Sequence, residues 1–107
     1  MKRGDLVTIA MQGDFGKPRP ALVVQSDALA ALQSVVVCPL TSDASGSGAV
    51  RVAIQPGDAN GLRRTSYVMV DKIMVVLREK IGEVFGRASA AEMSEVDKAL
   101  MLVVGLS

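Results

Sequence analysis

The chain has 107 residues, half of them apolar, and 12 basic residues stand against 11 acidic ones. That length suits one compact domain around one core, expected to run from residue 1 to 107. A near-neutral balance does not mark a nucleic-acid binder, whose domain is usually clearly basic. Histidine is absent, which removes Ser-His-Asp and Cys-His nucleophilic sites and the common histidine metal sites. Any acid–base work falls to Asp, Glu, Arg, Lys, Thr, Ser or Tyr. The three aromatic residues are Phe15, Tyr67 and Phe85, so the core must be aliphatic. No apolar run approaches the roughly 18 residues of a membrane span. Met1-Lys2-Arg3-Gly4-Asp5 is not followed by the long apolar region of a signal peptide. With the single Cys38 excluding an internal disulfide, a cytoplasmic protein is expected.

In chain order, Leu6–Met11 is β-branched and apolar and predicts a first strand. Gln12–Pro18 reads as a glycine-punctuated loop, and Ala21–Gln25 as a second strand. Ser26 and Asp27 offer a cap for one or two helical turns. Ser34–Thr41 is continuously apolar and predicts a strand buried on both faces, with a bulge or an end at Pro39. Ser42–Gly48 reads as a flexible polar loop. Ala49–Ile54 predicts a half-exposed strand, 55–61 a turn, Thr65–Val70 and Ile73–Leu77 two further strands, Arg78–Lys80 a charged turn, and Ile81–Arg87 a last strand. Ser89 and Glu92 form a capping box. Met93, Val96, Leu100 and Val103 follow at helical spacing to Gly105, a C-cap residue, so a helix is predicted over 90–104. Short strands closed by a terminal helix predict a mainly β, α+β fold with a small, strongly bent antiparallel sheet or barrel.

The stretch from Gly13 to Asp27 draws attention because it holds Arg19 between Pro18 and Pro20. Proline fixes its own φ and biases the preceding residue toward extended geometry, so Arg19 should have a stiff, extended backbone at a loop–strand junction. Rigidly held loop residues often bind ligands, although an arginine at a strand start is also ordinary solvated surface. Lys17 with Arg19, Arg63 with Arg64, and Lys72 with Arg78 and Lys80 are candidates for a local basic surface. Cys38, in an apolar strand with no histidine to activate it, reads as core, as do the methionines.

Four pieces occur in order: Arg3-Gly4-Asp5 before an apolar strand; the Gly-rich loop ending in Pro18-Arg19-Pro20-Ala21-Leu22-Val23-Val24; Val37-Cys38-Pro39-Leu40-Thr41-Ser42; and Val68-Met69-Val70-Asp71-Lys72. Together they resemble the MazF/PemK (Kid) family of type II toxin–antitoxin toxins over nearly the whole chain. The resemblance implies an SH3-like barrel of the CcdB/PemK type and a homodimer. It implies a metal-independent, cofactor-free, sequence-specific endoribonuclease acting on single-stranded RNA through 2′-OH attack, leaving 2′,3′-cyclic phosphate and 5′-OH ends. It also implies a cognate antitoxin whose tail lies in the dimer groove, contact with DNA only through that antitoxin, and no membrane partner. The catalytic residues carried across are Arg19 and Thr41, with Asp14 as a looser match to an acidic residue upstream of the arginine. The implied RNA-binding residues are Lys17, Pro18, Ser42, Arg63, Arg64 and Asp71. The chain departs from the family pattern at Met69, where PemK-like members carry an arginine two positions before the aspartate.

Arginine is a poor proton carrier near neutrality because its pKa lies above about 12. Arg19 is therefore assigned to charge stabilisation on the phosphate and Asp14 to general-base work. Two other readings stay open at this point: a gyrase-poisoning binder on the same fold, as in the CcdB toxins, and a catalytically degenerate family member.

Overall fold

The computed structural model describes residues 1–10, 17–46 and 48–107. Met11–Gly16, and with them Asp14, lie outside the described residues, as does Ser47. The strands are Asp5–Ala10 (β1), Pro18–Val23 (β2), Ser34–Thr41 (β3), Arg51–Ile54 (β4), Ser66–Met69 (β5), Met74–Leu77 (β6) and Ile81–Arg87 (β7), followed by a helix at Ala90–Val103 (α1). All pairings among them are antiparallel. The sheet order is β4-β5-β3-β2-β1-β7, with β6 also paired to β3. This is the mainly β architecture with a C-terminal helix that the pattern predicts.

β3 organises the sheet. One edge pairs with β2, from Ala21↔Pro39 to Val23↔Val37. The other edge takes two partners in succession, β6 along Ser34–Val37 and β5 along Leu40–Thr41. Pro39 was expected to end or bulge this strand. The strand instead runs through it, and Pro39 falls in the gap where the partner changes from β6 to β5. β2 also differs from expectation, since it starts at Pro18 rather than Ala21. Its two prolines pair with β1 alone, opposite Ala10 and Thr8, a one-sided setting that tolerates a missing N–H. β2 stops at Val23 because the amides of Val24 and Gln25 both donate to the Val36 carbonyl, at 3.1 and 3.2 Å. Two residues then face one, a bulge arrangement. The buried Gln25 side chain completes it, accepting from the Val36 amide and donating to the Leu29 carbonyl.

Both faces of the central strands are buried, which explains their unbroken apolar runs. One face gathers Leu6, Leu22, Cys38, Leu40, Ile54, Val68 and Val70 under Val96 and Ala99 of α1. The other gathers Val7, Ile9, Ala21, Val23, Val35, Val37 and Val76. Val96 is fully buried, and its burial stabilises the fold by roughly 1.5–3 kcal/mol. Both halves of the expected capping box form at the start of α1: Ser89 Oγ accepts from the Glu92 amide and Glu92 Oε1 from the Ser89 amide. At its end Gly105 adopts φ 81°. The Leu106 amide reaches the Met101 carbonyl at 2.7 Å and the Gly105 amide the Leu102 carbonyl at 3.2 Å, a Schellman closure.

Arg3 ties the N-terminus to the rest. Its Nε donates to the Val24 carbonyl, its guanidinium pairs with Asp97 of α1 at 2.6 Å, and its amide donates to Asp27. Arg78, read from the sequence as a possible surface cation, instead donates to the Ala30 and Leu32 carbonyls and closes the loop before β3. Cys38 is buried, and burial pushes its thiol up to about 12, so it is core.

The turn between β4 and β5 rests on one buried side chain. Asn60 Oδ1 accepts from the Gly57 and Leu62 amides, and its Nδ2 donates to the Gln55 carbonyl at 2.7 Å. Gly86 of β7 packs so closely on the Asn60 backbone that no Cβ fits there. Asn60→Ala leaves these partners unsatisfied. It is expected to cost about 1–3 kcal/mol of folding stability, read as a shift in denaturant midpoint.

Candidate active site

The strand register brings the sequence-named residues into one row. Ile9 pairs with Arg19, Thr41 with Tyr67, and Tyr67 with Ala53. Ala21↔Pro39 is the last β2–β3 pair, and Arg19 and Thr41 each stand two residues beyond it on the same face of their strands. Residues opposite one another in an antiparallel ladder project to the same face. Arg19, Thr41 and Tyr67 therefore share the sheet face away from α1. Arg19 is exposed, Thr41 and Tyr67 half-buried. Lys17 and Pro18, both exposed, flank Arg19 at the start of β2.

Thr41 Oγ1 accepts a hydrogen bond from the Asp43 amide at 3.1 Å. A hydroxyl both accepts and donates, so this bond fixes the oxygen while leaving its proton for an incoming anion. Asp43 Oδ1 accepts in turn from the Ser45 amide at 2.9 Å, and this bond holds the Asp43 carboxyl below its usual range, with the Arg51 charge adding to the shift. Within the loop expected over Ser42–Gly48, Ser42–Gly46 thus carries local hydrogen bonds, with the exposed Ser42 beside Thr41.

Asp71 follows β5 in the 3-10 turn Val70–Lys72. It is gripped by Arg51, with Nε to Oδ1 at 3.0 Å and the second guanidinium nitrogen to Oδ2 at 3.5 Å. Arg51 stands directly across the β4–β5 ladder from Met69. The position two before Asp71 is therefore apolar, and its strand neighbour supplies the guanidinium. Sequence reading missed Arg51, which looked like one outward residue of a half-exposed strand. Only the register reveals its place. Arg63 and Arg64 lie exposed just before β5, at the end of that strand which meets Thr41.

A groove of about 450 Å³ between β4 and α1 is lined by Arg51, Val52, Glu95 and Lys98 among others, and by none of Arg19, Thr41 or Asp71.

The hydrogen bond and charge of Arg51 hold the Asp71 carboxyl below the ordinary value of 3.8. A carboxylate with a depressed folded pKa stabilises the fold above its unfolded pKa and loses that contribution as pH falls through the folded value. Carboxyl-carbon NMR titration should place Asp71 below 3.8 and show its midpoint rising in Arg51→Ala. An unchanged midpoint would mean that the pair does not form in solution.

Known proteins resemble this chain in both sequence and fold. Residues 2–104 match the family model described as PemK-like, MazF-like toxin of type II toxin–antitoxin systems. A probable endoribonuclease MazF of Mycolicibacterium smegmatis is 37% identical over 108 residues, covering 100% of this chain and 99% of that protein. An endoribonuclease from a mycobacterial species, solved with its cognate antitoxin, superposes with a TM-score of 0.84 at 26% identity, over 100% of this chain and 97% of that one. A MazE–MazF structure from Deinococcus radiodurans gives 0.80 at 28% identity, over 100% and 97%. The chain belongs to the PemK-like, MazF-like family of type II toxin–antitoxin toxins.

Proposed function

We propose that the protein is a sequence-specific endoribonuclease toxin that cleaves single-stranded RNA without a metal or cofactor, the whole chain from 1 to 107 acting as one toxin domain. The observation that carries this reading is that Arg19 and Thr41 lie on one face of a MazF-like sheet. In the reaction, the ribose 2′-oxygen attacks the adjacent phosphorus and loses its proton. The bond to the 5′-oxygen breaks, and that oxygen leaves protonated. The products are a 2′,3′-cyclic phosphate and a 5′-OH end. Negative charge builds on the non-bridging oxygens. A guanidinium donates to two of them at once, the role of Arg19, and the Thr41 hydroxyl donates its proton to the same group. Asp14 takes the proton from the 2′-OH. Lys17, Pro18, Ser42, Arg63, Arg64 and Asp71 border the path of the RNA.

A homodimer is the proposed assembly. Val75 and Leu77 of β6 and Leu29 and Leu32 of the β2–β3 connection leave large apolar side chains exposed, surface that a second copy would cover. The antitoxin's tail lies in the groove of that dimer, folds on binding and brings DNA contact only through the antitoxin. Among the described residues no helix is long and apolar enough to cross a membrane, in keeping with a proposed cytoplasmic location.

Purified protein incubated with a long RNA in EDTA should yield discrete fragments with 5′-OH ends. Arg19→Ala should lower the rate by about 100- to 1,000-fold, the usual effect of removing one preorganised donor, while the protein still folds and binds its antitoxin. Asp14→Asn should lower it by about 100- to 10,000-fold. Intact RNA with the unmodified protein overturns the reading, and a gyrase effect in its place would select the CcdB-like alternative. Full cleavage by Arg19→Ala overturns the site assignment.

A further inference from the structure

Three observations converge on Arg51. Its guanidinium holds both oxygens of Asp71. Its charge reaches Asp43, whose amide is the donor to Thr41 Oγ1. The backbone of the turn after β3 lies directly on its side chain, because a Cβ on Gly46 would stand 2.6 Å from a guanidinium nitrogen of Arg51 and 2.8 Å from its Cγ. The side chain is 17% exposed, against 37% for Asp71. A half-exposed strand explains none of this, since an outward arginine there would extend into solvent.

We infer that Arg51 is a positioning residue: it clamps the turn Ser42–Gly46 to Asp71 and so fixes the Thr41 hydroxyl in the row that receives the phosphate. The functional consequence rests on the RNA-cleaving reading above; the mechanical one does not. Arg51 acts through its neighbours. The pairing with Asp71 anchors the guanidinium, the guanidinium fixes how closely Gly46 approaches, and the turn between them orients the Asp43 amide on Thr41. Glycine at 46 is part of the device, because any side chain there would displace either the turn or the arginine.

Losing such a clamp misplaces a reacting contact rather than removing a binding contact. Arg51→Ala should therefore lower kcat on a short single-stranded RNA by about 100-fold, as about 1 Å of misplacement can, with KM within about threefold. Gly46→Ala, which keeps every charge, should lower kcat in the same sense. Because Met69 faces Arg51 across the ladder, with Cβ atoms about 5 Å apart, the exchange Arg51→Met with Met69→Arg restores a guanidinium within reach of Asp71. It should leave kcat within about tenfold of Arg51→Ala, because that guanidinium reaches Asp71 but no longer lies against Gly46; full recovery would overturn the clamp.

Wild-type kcat in Arg51→Ala, or a raised KM with kcat unchanged, would overturn the inference; the second outcome would make Arg51 a plain binding contact. Backbone relaxation of residues 42–46 tests the clamp without RNA. Order parameters should fall from about 0.85 to below about 0.6 in Arg51→Ala, and unchanged values would sink the proposal even if the protein cut no RNA. If Arg51→Ala does not fold, Gly46→Ala carries both measurements.

Discussion

β3 answers to three partner strands and to two cores, and the rest of the structure follows from how that demand is met. Val35 and Val37 point into one core, Cys38 and Leu40 into the other, and the strand's two edges engage β2, β6 and β5 in turn. A one-residue slip would exchange the two faces and drive Thr41 toward the helix-side core. Register is therefore held by the burial of both valine sets. The same constraint sets Thr41 opposite Tyr67 and in line with Arg19. The site is a consequence of core packing, carried one residue beyond Leu40, the last buried position of β3.

The electrostatics follow from where the arginines go. Arg3 and Arg78 donate to backbone carbonyls and fasten loops, and Arg87 approaches Asp5 at 3.6 Å. These cations serve the fold. Lys17, Arg63 and Arg64 stay exposed near the ends of β2 and β5 that flank Thr41. A near-neutral chain can thus present a local basic field on one face, because its net charge averages cations committed to structure with cations presented to a ligand.

That division also explains what was legible in the sequence. The helix was readable because its capping box and its stripe of Met93, Val96, Leu100 and Val103 are local signals, and local signals survive folding. β3 was readable from its unbroken apolar run. The edges were not. Ala49–Ile54 predicted a longer strand, but residues 48–50 turn first and β4 begins at Arg51. Pro39 looked like an interruption because no local rule reveals that a strand changes partner at that point. Arg19 and Thr41 carried a family pattern in their immediate neighbours and could be named. Arg51 carried none. Its meaning lies in Met69 and Asp71, which are near it only in space, and in Gly46 across the turn.

Placing the guanidinium on β4 rather than on β5 has a physical consequence for Asp71. From position 69, on the same short segment as the aspartate, a guanidinium would answer only to the geometry of β5 and the following 3-10 turn. From position 51 it links two strands and the turn after β3, so the orientation of Asp71 depends on the β4–β5 ladder being closed. β4 is an edge strand of four residues, the kind of element that opens first in local fluctuations. It is also held by Val52 and Ile54 in the core, by α1 packed against it, and by the Asn60 turn that follows. The stability of that turn and the order of the site are therefore coupled through one short strand. Weakening Asn60, far from Thr41 in sequence, should loosen Arg51 before it unfolds the sheet.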